Sequence, residues 1–171
     1  TRLSLVDILH KNFFNINNLR GESQEFVMVT KRKKTTKTAK KIAKKTSTSK
    51  PSKAKSKPIA FTKMHGIGND IIILDCIKGT APANPSHISK KLCNRRTGVG
   101  ADQVMLLSKS RKYDFAVRIF NADGSEAESC GNGLRCIARF IKDNRYSVKK
   151  ELQIDTIAGP RNMRFMGKNV Q

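Results

Sequence analysis

The sequence predicts an α+β domain in which a β-sheet curls around a central helix. Two observations lead to this fold class. Between residues 58 and 171, short apolar segments bounded by turn residues outnumber the segments with helical periodicity. The helical segment at 134–143 is also apolar on nearly every side, so other elements must enclose it. A sheet wrapped around this helix accounts for both observations.

The first predicted elements are two strands at 58–64 and 70–76, on either side of a turn at 65–69 that contains two glycines. A helix is predicted at 84–94, because this segment begins among prolines and repeats an apolar residue after four positions. Ser86 is its expected N-cap, since a serine oxygen accepts a hydrogen bond from a free amide of the first turn.

Two further apolar segments, at 103–108 and 115–120, have the length and composition of strands. The second of them ends at a turn over 121–124, after which the chain leads into the apolar helix. Two short segments at 152–156 and 163–166, separated by an Ala-Gly-Pro turn, are predicted to form a closing hairpin.

Charge divides the chain of 171 residues into three segments. Residues 31–57 contain 13 Lys and Arg and no acidic residue, so this Lys-rich segment is predicted to be disordered. Residues 1–30 are mildly amphipathic, and we expect a separate N-terminal segment with a short helix that ends near Asn15. Residues 58–171 have the composition of one folded domain. The formal net charge of +22 therefore describes mainly the Lys-rich segment.

Composition also excludes several classes of protein. No stretch approaches the ~18 apolar residues of a membrane-spanning helix, and runs such as 71–74 have the length of a buried strand. The cysteines at positions 76, 93, 130 and 136 lack the spacing of a structural zinc site. Free thiols in a reducing compartment are the simplest interpretation, and they favour a cytoplasmic protein.

The segment Ser129-Cys130-Gly131-Asn132-Gly133 lies where a loop turns into the apolar helix. A thiol placed there lies near the positive end of the helix dipole, a setting that in general lowers the pKa of a cysteine. Free backbone amides nearby can bind an anionic group, and glycines let a ligand approach the backbone. The pattern is typical of a thiol that acts as an acid or base. The alternative is a small buried residue beside a glycine-rich helix cap.

Three turns combine small residues with amide or carboxylate side chains, at 66–70, 98–103 and 121–126. Together they suit a polar, zwitterionic ligand that is held by several hydrogen bonds, although each alone is typical of an ordinary turn. None of them fits the dinucleotide fingerprint or the P-loop lysine pattern. The sequence therefore predicts no nucleotide cofactor.

Taken together and in this order, these segments resemble the diaminopimelate epimerases. The resemblance covers residues 59–168 and says nothing about residues 1–57. Its four stretches are FTKMHGIGND at 61–70, GVGADQ at 98–103, RIFNADGSE at 118–126 and CGNGLRC at 130–136. Four motifs in the same order make the resemblance specific.

The resemblance implies an isomerase, without cofactor or metal, that converts LL-2,6-diaminopimelate to meso-diaminopimelate in lysine and peptidoglycan biosynthesis. It also implies two similar halves, each a mixed β-sheet wrapped on a central helix, with the substrate between them. One cysteine from each half exchanges the α-proton, and Cys130 matches the first of these. The positions that match substrate-binding residues are Asn69, Gln103, Asn121, Gly131 and Asn132.

The match covers only the first half of such an enzyme. The Glu-Arg region and the second Cys-Gly motif of the family are not found before Gln171. We therefore expect residues 58–171 to be the N-terminal catalytic half, and the isolated chain to be an inactive fragment. The resemblance further implies a homodimer in the cytoplasm. Proline racemases and phenazine-pathway isomerases are the alternative families, but the Phe-Asn-Ala-Asp-Gly-Ser-Glu and Cys-Gly-Asn-Gly stretches favour diaminopimelate.

A function of a different class is open to the Lys-rich segment, residues 31–57. Its lysines are interleaved with Thr, Ser, Ala and Pro, as in the terminal tail of a linker histone. Its positive charges would bind nucleic acid strongly, with a marked salt dependence and no sequence preference. Because the segment has no aromatic residue that could stack on a base, we do not expect it to recognise particular bases. The alternatives for this segment are a solvated linker or a fused remnant of a neighbouring reading frame. For the chain as a whole, the alternative to an epimerase is a catalytically inactive epimerase-like half with a nucleic-acid-binding basic segment.

Overall fold

The computed structural model describes residues 6–14, 58–167 and 169–171, and for residues 6–14 it describes the backbone alone. The predicted disorder of the Lys-rich segment lies outside the described residues. The described residues form nine strands and two helices: β1 (Val6–Phe14), β2 (Ile59–Gly66), β3 (Asn69–Asp75), α1 (Pro85–Cys93), β4 (Gln103–Lys109), β5 (Phe115–Asn121), β6 (Glu126–Ala127), α2 (Gly131–Asp143), β7 (Glu151–Asp155), β8 (Arg161–Met166) and β9 (Asn169–Val170). In these parts of the chain, neither helix has the length and apolar character needed to span a membrane.

The strands form a mixed sheet in the order β1-β2-β3-β4-β5-β7-β8-β9, with β6 paired to β5. Most neighbours are antiparallel, but β3 and β4 run parallel, and so do β5 and β7. α1 lies between β3 and β4 in the sequence and α2 lies between β5 and β7. Each parallel pair is therefore joined by a crossover that contains a helix.

Both faces of the central strands are buried, because a helix covers each side of the sheet. In β3, Ile71 and Ile73 pack in the core around α2. The alternate residues Ile72 and Leu74 pack on the opposite face, in the core that includes α1. Strands that are buried on both faces read as continuous apolar runs, which is what the sequence shows at 71–74.

α2 is the central helix, and its buried residues come from nearly every side. They are Gly133, Leu134, Cys136, Ile137, Ala138, Phe140 and Ile141. The prediction of a mixed sheet curled around a central helix is confirmed. The helix begins at Gly131, three residues before the predicted start, because Cys130 serves as its N-cap.

Two local predictions are wrong. The N-terminal segment contains a strand instead of a helix, since Val6–Phe14 pairs antiparallel with β2. This pairing gives the backbone groups of both strands hydrogen-bond partners, a tertiary factor that the local apolar pattern does not contain. The N-cap of α1 is Asn84 and not Ser86: Asn84 Oδ1 accepts a hydrogen bond from the His87 amide at 3.0 Å. Pro85 then takes the first helical position, where its missing N–H costs nothing.

The first turn of α2 lies directly against the sheet. A Cβ atom added at Gly133 would stand 1.8 Å from Cε of Met105 in β4. At Gly66, the last residue of β2, an added Cβ would stand 3.3 Å from the carbonyl oxygen of Asn132. The start of the helix is therefore held against β2 and β4, and this contact fixes the place of Cys130.

Gly133→Ala is expected to destabilise the domain, because Met105 must move to admit the new methyl group. Relative to Gly131→Ala, the free energy of unfolding should fall by about 1 kcal/mol, since the fully buried Met105 must change its rotamer. Gly131→Ala is the matched control, since it lies in the same turn and nothing lies within 4 Å of its added Cβ. Urea unfolding followed by circular dichroism measures both variants, and equal stability of the two would contradict the packing described here.

Candidate active site

Cys130 is the N-cap of α2. Its backbone is extended (φ −149°, ψ 105°), and its carbonyl oxygen accepts a hydrogen bond from the Leu134 amide at 2.9 Å. Its sulfur takes the place of a capping oxygen, because Sγ accepts a hydrogen bond from the Gly133 amide at 3.4 Å. The half-buried thiol therefore lies at the amino end of the buried helix, as the sequence predicts.

A second hydrogen bond reaches this sulfur from the first residue of β3. Asn69 Nδ2 donates to Cys130 Sγ across 3.6 Å. The turn between β2 and β3 consists of Ile67 and Gly68, and both have positive φ values, 51° and 78°, as tight hairpin turns require. A β-branched residue in this backbone region is strained, and the side chain of Ile67 is also 68% exposed. The strained turn places Asn69 within reach of Cys130.

Gln103 and Asn121 lie opposite each other on β4 and β5. Gln103 Nε2 donates to Asn121 Oδ1 at 2.9 Å. The other polar atom of this side chain, Gln103 Oε1, is buried and finds no hydrogen-bond partner among the described residues. An unpartnered buried acceptor is costly to the folded state, and it is available to a donor from a ligand.

Asn121 is held in place by its neighbours in the turn and by α1. Its Nδ2 donates to Ser125 Oγ at 3.0 Å, and the Ser125 hydroxyl donates to Asp123 Oδ1 at 2.6 Å. Hydrogen bonds from Ser125 lower the pKa of Asp123. From α1, the buried Ser89 hydroxyl donates to the Asn121 carbonyl oxygen at 2.7 Å. Ser89 was not predicted from the sequence; its signal is a polar residue on the apolar face of a helix.

Gly131 and Asn132 form the start of α2. Amides in the first turn of an α-helix have no partner within the helix, so these N–H groups face the space beyond the helix end. Together with the helix dipole they suit a carboxylate. Asn132 Oδ1 accepts a hydrogen bond from Arg135 Nη1 at 2.8 Å, which adds a positive charge to the same turn.

The structure brings the predicted residues together as two neighbouring groups. Cys130 and Asn69 are in contact beside the first turn of α2, and Gln103 and Asn121 are in contact across β4 and β5. The groups are adjacent because β3 and β4 are paired, with Ile71 opposite Gln103. Both groups lie where β3 and β4 begin and β5 ends, so they share one edge of the sheet.

The other three cysteines differ from Cys130 in their surroundings. Burial raises the pKa of Cys93, and burial together with Asp75 raises the pKa of Cys76. Burial, and then the charge of Cys130, raises the pKa of Cys136 to about 12. These thiols are protonated at neutral pH. All four cysteines are free.

The site offers one partly exposed thiol, amide donors beside it, helix amides suited to a carboxylate, and an unpartnered buried acceptor. Within the described ranges, no group of three or more His, Cys, Asp or Glu side chains could hold a metal ion. The arrangement suits the transfer of a proton at a carbon atom that bears a carboxylate and an amino group.

Relatives that match this chain are named diaminopimelate epimerase. The protein from Carboxydothermus hydrogenoformans is 50% identical over 101 residues, which cover 58% of this chain and 37% of that protein. The protein from Pseudomonas aeruginosa strain UCBPP-PA14 is 50% identical over 103 residues, 59% of this chain and 37% of its own length. The chain therefore spans just over a third of the length of these curated relatives.

Two solved structures are similar to part of the chain. A phenazine biosynthesis protein of the PhzF family from Bacillus anthracis has 24% identity and a TM-score of 0.48, covering 58% of this chain and 31% of that one. A hydroxyproline epimerase from Agrobacterium vitis has 16% identity and a TM-score of 0.48, covering 64% of this chain and 38% of that one.

The sequence of the domain also fits a family as a whole. The model of the family described as diaminopimelate epimerase matches residues 61–170, which is more than half of the chain. The matched range contains the thiol at the helix end and all five of the amide and glycine positions described above. The chain belongs to the diaminopimelate epimerase family.

Proposed function

We propose that residues 58–171 form one half of the active site of a diaminopimelate epimerase, which converts LL-2,6-diaminopimelate to meso-diaminopimelate. The observation that carries this proposal is the position of Cys130, whose sulfur lies at the amino end of α2 and accepts hydrogen bonds from Asn69 and Gly133. Because the relatives of this name are longer than the match, the domain supplies the Cys130 side of a larger site.

Proton transfer at the α-carbon of an amino acid requires a base and stabilisation of charge. The α-hydrogen is a very weak acid, so the base must lie within hydrogen-bond distance, and the negative charge that develops must be stabilised. The Cys130 thiolate takes this proton on one face of the substrate. The electron pair left on carbon delocalises into the α-carboxylate, which the amides of Gly131 and Asn132 bind.

Inversion then requires an acid on the opposite face of the α-carbon. Reprotonation from that face gives the other configuration, and the thiol that donated becomes a thiolate. Cys93 and Cys136 are buried, and Cys76 follows the end of β3 opposite to Asn69, so none of the three is a suitable donor. The second thiol comes from the second half that the family resemblance implies.

The remaining polar groups orient the substrate. Gln103 Oε1, buried without a partner among the described residues, accepts a hydrogen bond from a substrate ammonium group. Asn69 and Asn121 supply amide groups on either side of it. These assignments would satisfy the one buried side-chain acceptor that lacks a partner among the described residues.

Iodoacetamide is expected to alkylate Cys130 at least about tenfold faster than Cys93 and Cys136 near pH 8, because burial of those two thiols limits access to them and raises their pKa. Cys136, with its pKa at about 12, should stay unmodified even at pH ~9. LL-diaminopimelate should slow the modification of Cys130 severalfold. Peptide mass spectrometry over time measures each site, and Cys130→Ser confirms the peptide assignment. A rate at Cys130 that is insensitive to diaminopimelate even in the chimera described below, which carries both halves of the site, would contradict the proposal.

Epimerase activity is best tested in a chimera, because the chain matches only part of its relatives. Residues 61–170 replace the matching stretch of the Carboxydothermus hydrogenoformans protein, and chromatography separates the LL and meso products. We expect interconversion with deuterium uptake from heavy water, and a loss of at least about a hundredfold on Cys130→Ala. Cys76→Ala, outside the site, is the matched control. A chimera that loses no activity on Cys130→Ala would rule out the assigned role.

We also propose a second function, of a different class, for the Lys-rich segment: nonspecific binding of nucleic acid. The supporting observation is 13 Lys and Arg within residues 31–57 and no acidic residue. Cations that replace condensed counterions on a phosphate backbone give affinity that falls steeply with salt. This function is independent of the epimerase site.

Deletion of residues 31–57 is expected to abolish a DNA mobility shift that wild-type protein produces at low salt and loses as salt is raised. A variant with glutamine at the 13 basic positions keeps the length of the segment and should behave like the deletion. An unchanged shift after either alteration would exclude the segment as the binding site.

We propose, finally, that the epimerase works in the cytoplasm as a homodimer. Four free thiols suit a reducing compartment. The homodimer is what the family resemblance implies for the complete enzyme.

A further inference from the structure

We infer that Arg95 is a positioning residue for Asn69 and Gln103. It acts through Asp70 and Asp102, the sequence neighbours of these two side chains. The inference rests on the proposed function for the role of Asn69 and Gln103, and on geometry alone for the action of Arg95.

Asn69 and Gln103 occupy the first positions of the adjacent parallel strands β3 and β4. The residues beside them hold the two strand starts together. The Asp70 amide donates to Asp102 Oδ2 at 2.8 Å, and the Asp102 amide donates to the Asp70 carbonyl oxygen at 2.9 Å. Through these reciprocal hydrogen bonds, a shift of one strand start displaces the other.

This arrangement brings two carboxylates close to each other, and Arg95 joins them. Its Nη1 lies 3.2 Å from Asp70 Oδ2 and its Nη2 lies 2.9 Å from Asp102 Oδ1. Carboxylates at such proximity repel unless a cation lies between them, and the planar guanidinium fork can contact both at once. Lys63 Nζ also lies 3.3 Å from Asp70 Oδ2. Asp102 is therefore the carboxylate whose ion pair depends on Arg95.

The backbone after α1 holds Arg95 in place. The amides of Val99 and Gly100 donate to the Leu92 carbonyl oxygen at 2.9 and 3.0 Å, which folds the loop back on the helix end. Gly100 has φ +77°, and an added Cβ there would stand 3.3 Å from Cα of Arg95. The guanidinium is thus presented from a tightly folded loop.

The side chain of Arg95 is 57% exposed, so it contributes little to core packing. Exposed ion pairs add little to overall stability. Its removal should therefore disturb the local geometry of the strand starts more than the stability of the domain.

The test uses the full chain with Arg95→Gln, Arg95→Lys and the control Arg164→Gln. Arg164 pairs with Glu151 at 2.6 Å and is 66% exposed, so it matches Arg95 in chemistry and setting. The first readout is the nuclear magnetic resonance signals of the Asn69 and Gln103 side-chain amides. The second is the dissociation constant for LL-diaminopimelate, measured by calorimetry on the same three substitutions in the chimera described above, which carries both halves of the site.

We expect Arg95→Gln to shift or broaden both amide signals and to weaken diaminopimelate binding about tenfold. Arg95→Lys keeps the charge but cannot span both carboxylates, so it should give an intermediate effect. Arg164→Gln should change neither readout, although both glutamine variants should lower Tm by a similar, small amount. If Arg95→Gln does not fold, the same two readouts on Arg95→Lys test the positioning role.

The outcomes separate this inference from the proposed function. Amide signals and affinity that match those of Arg164→Gln would overturn the positioning role, and so would shifted signals with unchanged affinity. Shifted signals, together with a chimera that does not bind diaminopimelate even with Arg95 intact, would support the action of Arg95 on the strand starts and overturn the proposed substrate.

Discussion

The candidate site depends on the close contact between the first turn of α2 and the sheet beneath it. Gly133 leaves no room for a side chain against Met105, and Gly66 brings the end of β2 to the backbone of Asn132. This contact fixes how close the start of α2 lies to the strands. Cys130, as the N-cap, moves with that end. Its sulfur can therefore meet both a helix amide and the side chain of Asn69, which comes from a different part of the chain.

Several features at this edge of the sheet are unfavourable for folding when each is taken alone. Ile67 has a strained backbone and an exposed apolar side chain, Gln103 Oε1 has no partner among the described residues, and Asp70 and Asp102 bring like charges together. Such costs persist only where the surrounding structure enforces them, and they gather at functional sites. Their concentration around one thiol distinguishes this edge from the other turns of the described domain.

Periodicity in the sequence was sufficient to predict the central elements. The apolar runs of β3 and β4 and the all-round apolar character of α2 reflect burial on every side, which local composition records directly. The setting of Cys130 followed as well, since a helix end can be read from glycines and an apolar run. By contrast, the positions of Asn69, Gln103 and Asn121 in the sequence do not show that these residues lie close together in the fold. Their assignment came from the family resemblance.

What could not be predicted depends on contacts between distant parts of the chain. β1 exists because its backbone pairs with β2, a partner far along the sequence. Ser89 reaches Asn121 across 32 positions, and Arg95 reaches Asp70 across 25. In α1, Ser86 and Asn84 both suit an N-cap by residue type, and the chain geometry around Pro85 selects Asn84.

The pairing of β1 with β2 brings together residues that are far apart in the sequence. Phe14, the last residue of β1, lies opposite Ile59, the first residue of β2. The entropic cost of bringing two points of a chain together rises only with the logarithm of the number of residues between them, about 0.6 kcal/mol for each doubling. The pairing of these two strands therefore tolerates large changes in the number of residues that separate them in the sequence, so relatives can differ greatly in length at this place and still build the same sheet.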